Sequence, residues 1–94
     1  MSIRYQLTAT DYARSRLTDI WIQASSVDRA AITWASHLID SELRMDAETK
    51  GSPVHAASPD LRLFEVDPLR ASFEVSPPDR LVTIIDYELI VPTP

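Results

Sequence analysis

The chain has no cysteine and, among its 94 residues, a single glycine, Gly51. Without cysteine it can form no disulfide framework, no thiolate nucleophile and no cysteine-based zinc site. One glycine also excludes a glycine-rich phosphate-binding loop, because such loops need several glycines close together. No Ser-His-Asp elbow motif is present. These absences exclude several common enzyme classes.

Basic residues are scarce, with 9 Lys and Arg against 14 Asp and Glu, which gives a net charge of −5. Lys50 is the single lysine. Affinity for nucleic acid rests largely on Lys and Arg that meet phosphates, so this balance weighs against RNA contact. Arginine favours planar contacts to carboxylate or phosphate and is enriched in specific protein interfaces.

Long apolar runs are missing as well. No segment approaches the roughly 20 apolar residues of a membrane span, and Asp86 and Glu88 interrupt the most apolar stretch. The N-terminus lacks the continuous apolar stretch of a signal peptide. At 45% hydrophobic and 24% charged, the composition predicts one globular domain over residues 1–94. We expect a soluble cytoplasmic protein without membrane contact.

The first half of the chain predicts one strand and two helices. Ile3, Tyr5 and Leu7 alternate with polar residues, which indicates a half-buried strand. Apolar residues at helical spacing then predict a helix capped by Thr10, and a second capped by Ser26 that fades near residues 47–50 before Gly51. The short break between them makes an antiparallel hairpin. Trp21 and Trp34 are predicted to lie in its core.

The second half predicts three strands, Leu61–Val66, Leu69–Val75 and Leu81 to about Val91, which Pro92 ends. Asp67-Pro68 and residues 76–79 form the turns between them, and residues 51–60 form a loop by composition. The predicted fold is α+β with the order β-α-α-β-β-β. A helical hairpin packs on one face of a small, mostly antiparallel sheet.

A charged face is predicted on the side of the sheet away from the helices, carrying Arg62, Arg70, Ser72 and Glu74. Two interpretations stay open. In the first, Arg62, Arg70 and Arg80 bind a phosphate or nucleic acid, with Glu74 as a base. Alternatively, they form cross-strand Arg–Glu pairs on a solvated surface, which contribute little. Because such surface pairs are common, the second interpretation is favoured.

Two further candidates carry titratable groups. His55 lies in the predicted loop before the second strand, where it is either a general acid or, more commonly, a solvated side chain. His37 and His55 show no metal-binding spacing, so we expect no metal site and no cofactor. Tyr87 could position a substrate or simply pack in its strand.

These patterns together resemble the RelE/ParE toxin superfamily of bacterial toxin–antitoxin systems. The resemblance covers nearly the whole chain. Its motifs are Tyr5-Gln6-Leu7, then Ala13, Leu17, Asp19, Ile20 and Trp21, the helix of residues 30–43, the hairpin of residues 61–75 and the strand of residues 80–85. It implies the α+β fold described above.

The resemblance also implies two activities. RelE-like members cut messenger RNA on the ribosome, whereas ParE-like members inhibit DNA gyrase without being nucleases, and a cognate antitoxin neutralises both. For a nuclease, the resemblance implies that Arg70 and Arg62 meet phosphate charge. Tyr87 or His55 would then assist positioning or proton transfer, and the substrate's own 2′-hydroxyl would attack without a metal.

Several residues depart from the ribonuclease pattern. The chain is acidic, Asp86 and Glu88 flank Tyr87 where the family carries a basic residue or histidine, and Lys50 and His55 alone correspond to the family's lysines. The leading hypothesis is therefore a toxin-like component, associated with plasmid stabilisation. It would act by protein contact with a gyrase or ribosome target and be neutralised by an antitoxin.

Two alternatives remain beside it. One is a non-catalytic binding or assembly module that keeps the fold without toxicity, and the other is a ribosome-dependent mRNA endonuclease. The sequence leaves a homodimer open.

Overall fold

A computed structural model describes residues 3–55 and 58–90, excluding the side chains of residues 55, 58 and 59. Its elements are β1 Gln6–Ala9, α1 Asp11–Gln23, α2 Ser26–Leu43, a short 3₁₀ helix Ala47–Thr49, β2 Ser52–His55, β3 Ser58–Val66, β4 Leu69–Ser76 and β5 Leu81–Leu89. Two helices cover one face of a mixed sheet, so the predicted α+β class is confirmed. None of the described helices is long and apolar enough to cross a membrane.

The described strands form one sheet in the order β1-β5-β4-β3-β2. β1 runs parallel to β5, and the other pairs are antiparallel. The predicted loop over residues 51–60 was wrong in part, because Ser52–His55 forms the edge strand β2 and β3 begins at Ser58. Pro53 is tolerated there since an edge strand lacks a partner on one side. Val91 and Pro92, which were predicted to end the last strand, lie outside the described residues.

The helix boundaries follow local capping. The predicted N-cap Thr10 is confirmed, since its hydroxyl accepts from the Ala13 N–H at 3.0 Å. Ser25, and not the predicted Ser26, caps α2 by accepting from the Asp28 N–H at 3.2 Å. The prediction that α2 fades near residues 47–50 is wrong, since the helix ends at Leu43 and the chain then turns through Asp46 in a left-handed conformation at φ 53°.

The core lies between the helices and one sheet face. Its fully buried side chains are Ala13, Ile32, Ala35, Ile39, Leu43, Ala47, Leu69, Ala71, Phe73, Val82 and Ile84. The predicted placement of Trp21 and Trp34 in the core is wrong, since they are 42% and 68% exposed. Trp34 follows Ile32 by two positions, about 200° around the helix, so it points away from the sheet.

Gly51 lies in the connection between α2 and β2, and its close packing there can be tested by substitution. Its φ is +64°, and a Cβ placed there would lie 2.0 Å from the Leu63 carbonyl oxygen. We expect Gly51→Ala to lower the free energy of unfolding by about 2 kcal/mol or more, because strain and a backbone clash add. Urea unfolding measures this, with Ser52→Ala as the matched neighbour. An unchanged midpoint for Gly51→Ala would contradict the close approach of this residue to the Leu63 backbone.

Candidate functional site

The sheet face away from the helices is called the open face. Arg70, Ser72 and Glu74 of β4 lie on it, because the residues that alternate with them are buried against the helices. This alternation agrees with the prediction from sequence. The open face is therefore the leading candidate for a functional site.

Arg62 does not share this face, and the prediction that placed it there is wrong. The two-residue turn at Asp67-Pro68 pairs Val66 with Leu69, and the same register sets Arg62 opposite the buried Phe73. Directly opposite residues in an antiparallel pair point to the same side. Arg62 therefore lies on the helix-facing side of the sheet.

The guanidinium of Arg62 is occupied there by backbone groups. Its Nε donates to the Lys50 carbonyl at 2.7 Å, and an NH2 nitrogen donates to the Gly51 carbonyl at 3.1 Å. Lys50 in turn places its Nζ 2.8 Å from Glu42 Oε2. Both cations hold the connection between α2 and β2, which gives them a structural role.

Arg70 sits between two carboxylates on neighbouring strands. Its Nε lies 3.0 Å from Glu65 Oε1 on β3, and its NH1 lies 3.5 Å from Glu88 Oε2 on β5. We call these three residues the Arg70 triad. This is the cross-strand Arg–Glu pairing that the sequence favoured over a phosphate site, with one carboxylate on each side of the arginine. An incoming phosphate would have to displace two carboxylates.

The open face is acidic beyond the triad. Among the described side chains of β3, β4 and β5, Arg70 is the one base on this face, beside Glu65, Glu74, Asp86 and Glu88. This excess of carboxylates repels phosphate. Sequence reasoning did not single out Glu65 as a partner of Arg70. The signal was the turn length, since a two-residue turn pairs residues 65 and 70.

Asp86 has a structural task at the edge of β5. Its Oδ1 accepts from the Tyr87 N–H at 2.8 Å and lies 3.4 Å from Nε of Arg16 on α1. β1 pairs β5 only as far as Ile84, so the carboxylate satisfies a backbone donor beyond the end of β1. The Arg16 Nε is itself buried without a hydrogen-bond partner.

Tyr87 lies on the opposite face from Arg70. A β-bulge inserts one extra residue in β5, so that Phe73 pairs with Ile84 and Ser72 with Asp86. Beyond the bulge, Tyr87 turns under the helices and is 4% exposed. Burial raises the pKa of its phenol, and the nearby Asp40 raises it further. The structure therefore does not bring Tyr87 and Arg70 together.

His55 forms part of β2, where its backbone pairs with Ser58. Its side chain lies outside the described part of the structure. A role for His55 in proton transfer stays a prediction.

A groove opens where the turn between α1 and α2 approaches the C-terminal end of β5. Its cavity measures about 840 Å³, within the range of about 300–1,000 Å³ typical of binding pockets. Its lining residues are apolar Ile20, Ala24, Ile32, Pro68, Leu89 and Ile90 and polar Arg16, Gln23, Ser25, Asp28, Asp67 and Glu88. We call it the acid-rimmed groove. Because Glu88 belongs to both, the groove adjoins the Arg70 triad.

Comparison with solved structures shows which fold this is. A chain of the RelBE2 toxin–antitoxin complex from Mycobacterium tuberculosis matches with a TM-score of 0.70 and 15% identity, over 93% of this chain and 92% of that chain. A chain of the chromosomal ParDE TA system from P. aeruginosa matches with a TM-score of 0.71 and 17% identity, over 94% and 98%. This chain has a RelE/ParE-like fold. No family model and no curated protein matches its sequence.

The RelE/ParE-like scaffold therefore presents two surfaces of distinct chemistry. The open face offers an arginine flanked by two carboxylates and an excess of negative charge. The acid-rimmed groove offers an apolar floor beside three carboxylates and one arginine, Arg16. Both suit a partner that brings apolar side chains and positive charge, because complementary potentials favour such encounters.

The buried tyrosines predict loss of stability in alkali. Burial and a hydrogen bond to Glu48 raise the pKa of Tyr5 from 10.0 to about 12. The neutral phenol's contribution is complete below pH 10 and is lost as the pH rises towards 12, because the unfolded chain ionises first. We expect Tyr5→Phe to show a shallower decline than the wild type in urea midpoints over this range. Tyr12→Phe, at an exposed site, should match the wild type, and an equal decline in all three would contradict this assignment.

The Arg70 triad predicts how RNA binding responds to charge removal. Glu65→Gln with Glu88→Gln frees Arg70, and we expect this variant to bind single-stranded RNA roughly tenfold more tightly than a charge-matched control. The control, Asp19→Asn with Glu74→Gln, changes the net charge equally but keeps the triad. Fluorescence anisotropy with a labelled oligonucleotide measures both. Equal affinities would show that overall charge alone governs the contact.

Proposed function

We propose that this protein is a toxin-like component of a type II toxin–antitoxin pair, which acts in the cytoplasm by protein contact and is neutralised by an antitoxin. The fold supports this, since two chains from toxin–antitoxin systems match over at least 92% of their own lengths. The observation that carries the mode of action is the Arg70 triad. A guanidinium held by Glu65 and Glu88 on an acidic face is poorly suited to bind phosphate.

Cleavage of RNA needs catalytic groups that converge on one phosphate. The catalytic residues that the resemblance to RelE-like nucleases implies are divided between two faces of the sheet. Arg70 is on the open face, while Arg62 and Tyr87 are on the helix side. Arg62 is also engaged by backbone carbonyls. The geometry therefore supports a contact-dependent mode of action over ribosome-dependent mRNA cleavage.

The acid-rimmed groove suits the antitoxin. An antitoxin segment with one or two apolar side chains and flanking Lys or Arg would bury the apolar floor and neutralise Asp28, Asp67 and Glu88. The net charge of −5 would speed the encounter with such a basic segment. The target, whether gyrase or ribosome, would then meet the open face.

A second candidate is a binding or assembly module that keeps this fold without toxicity. The same acidic face favours it, because a module needs partner contacts and no convergent catalytic groups. Growth of an expressing host separates the two candidates.

Induced expression in a bacterial host provides the test. We expect the wild type to arrest growth, and Arg70→Ala to arrest it to a similar degree while cellular mRNA stays intact by primer extension. A core variant, Phe73→Asp, should lose the effect because it cannot keep the fold. Immunoblots control for expression.

Two results would contradict these expectations, and each contradicts a different part of the proposal. Arrest that disappears in a folded Arg70→Ala variant, together with mRNA cleavage by the wild type, would overturn the contact-dependent mechanism. Normal growth with abundant folded wild type would favour the non-toxic module.

A further inference from the structure

Helix α2 carries a second apolar stripe, which lies about 120° around the helix axis from the stripe that faces the sheet. Five of its positions, Val27, Ala31, Trp34, Leu38 and Ser41, follow one another at alternating steps of four and three residues, and Met45 lies just beyond the helix end at Leu43. We call these six residues the outer seam. Val27 is 78% exposed and Trp34 is 68% exposed.

This spacing differs from that of the stripe that faces the sheet. The inner stripe, Ile32, Ala35, Ile39 and Leu43, is completely buried in the core. Alternating steps of three and four residues form the seam along which one helix packs against another. A surface helix with a single buried face needs only one apolar stripe. The outer seam therefore indicates packing against a helix of a partner.

We infer that the outer seam pairs with the outer seam of a second copy of this chain, as an antiparallel helix pair about a twofold axis. The first argument is charge. The molecule carries −5 overall, and copies that met through the open face would repel each other. None of the six seam residues is charged, so two copies can approach there without burying like charges.

The second argument is self-complementarity. A twofold contact requires that residue i of one copy meet residue j of the other, and the reverse. With the axis midway between Trp34 and Leu38, each tryptophan lies opposite a leucine of the other copy. The small residues Ala31 and Ser41 then oppose each other, which allows close approach of the two helices.

The third argument is size. α2 has 18 residues, about 27 Å of helix. A pair of this length buries on the order of 1,000 Å² in total, near the lower limit for specific interfaces. Two symmetry-related tryptophans supply the anchors that dominate such interfaces. Because interfaces at this size limit are usually weak, we expect a dissociation constant in roughly the micromolar range.

Sedimentation equilibrium of the purified chain, from below to well above micromolar concentration, tests the inference. We expect the wild type to form a dimer and Trp34→Glu to weaken it by at least roughly a hundredfold, because the anchor becomes a buried charge. Tyr12→Glu is the matched control, since Tyr12 is 61% exposed on α1 outside the seam, and it should dimerise like the wild type. Circular dichroism verifies folding, and Ala31→Glu provides a second seam variant.

Tryptophan fluorescence gives an independent readout. In a Trp21→Phe background, Trp34 is the single tryptophan, and its emission should shift to the blue as protein concentration passes through the dissociation constant. A wild type that stays monomeric at every concentration would overturn the inference. A dimer that both seam variants leave intact would overturn it equally. Neither outcome depends on the proposed toxin-like function.

Discussion

The pairing of Val66 with Leu69 across a two-residue turn decides which face each side chain of β3 and β4 takes. A shift of the register by one residue would exchange the two faces of β3. Glu65 would then lie under the apolar helices without a partner, at a cost of several kcal/mol, while Phe64 and Val66 would lose their contact with the core. The register that packs the core is thus the one that sets Glu65 beside Arg70.

Features that depend on local pattern were accessible from the sequence, and those that depend on pairing were not. The alternation of β4 and the Thr10 cap are local, and both agree with the structure. The segment Leu61–Val66 has apolar residues on both faces, so only its pairing with β4 shows where Arg62 points. Likewise, α2 has two apolar stripes, and the sequence alone does not say which one meets the sheet.

The charged and uncharged surfaces of the molecule suit partners of different chemistry. The open face and the acid-rimmed groove combine carboxylates with a small apolar floor, which favours a basic partner. The outer seam of α2 is uncharged and aromatic, which favours an apolar helix. Because α2 packs on the sheet face opposite the open face, a partner on the open face and a second copy on the seam would occupy different surfaces.

One extra residue in β5 determines the chemistry of the open face. Alternation from Val82 and Ile84 without a bulge would place Tyr87 outward on the face of Arg70 and turn Asp86 and Glu88 under the helices. The bulge reverses these positions, so the phenol becomes buried and the carboxylates reach Arg70 and the edge of β5. Sequence periodicity does not reveal such an insertion, because Ile84 and Ile85 are equally apolar. A surface that could have offered an arginine and a tyrosine to phosphate instead offers a neutralised arginine among acids.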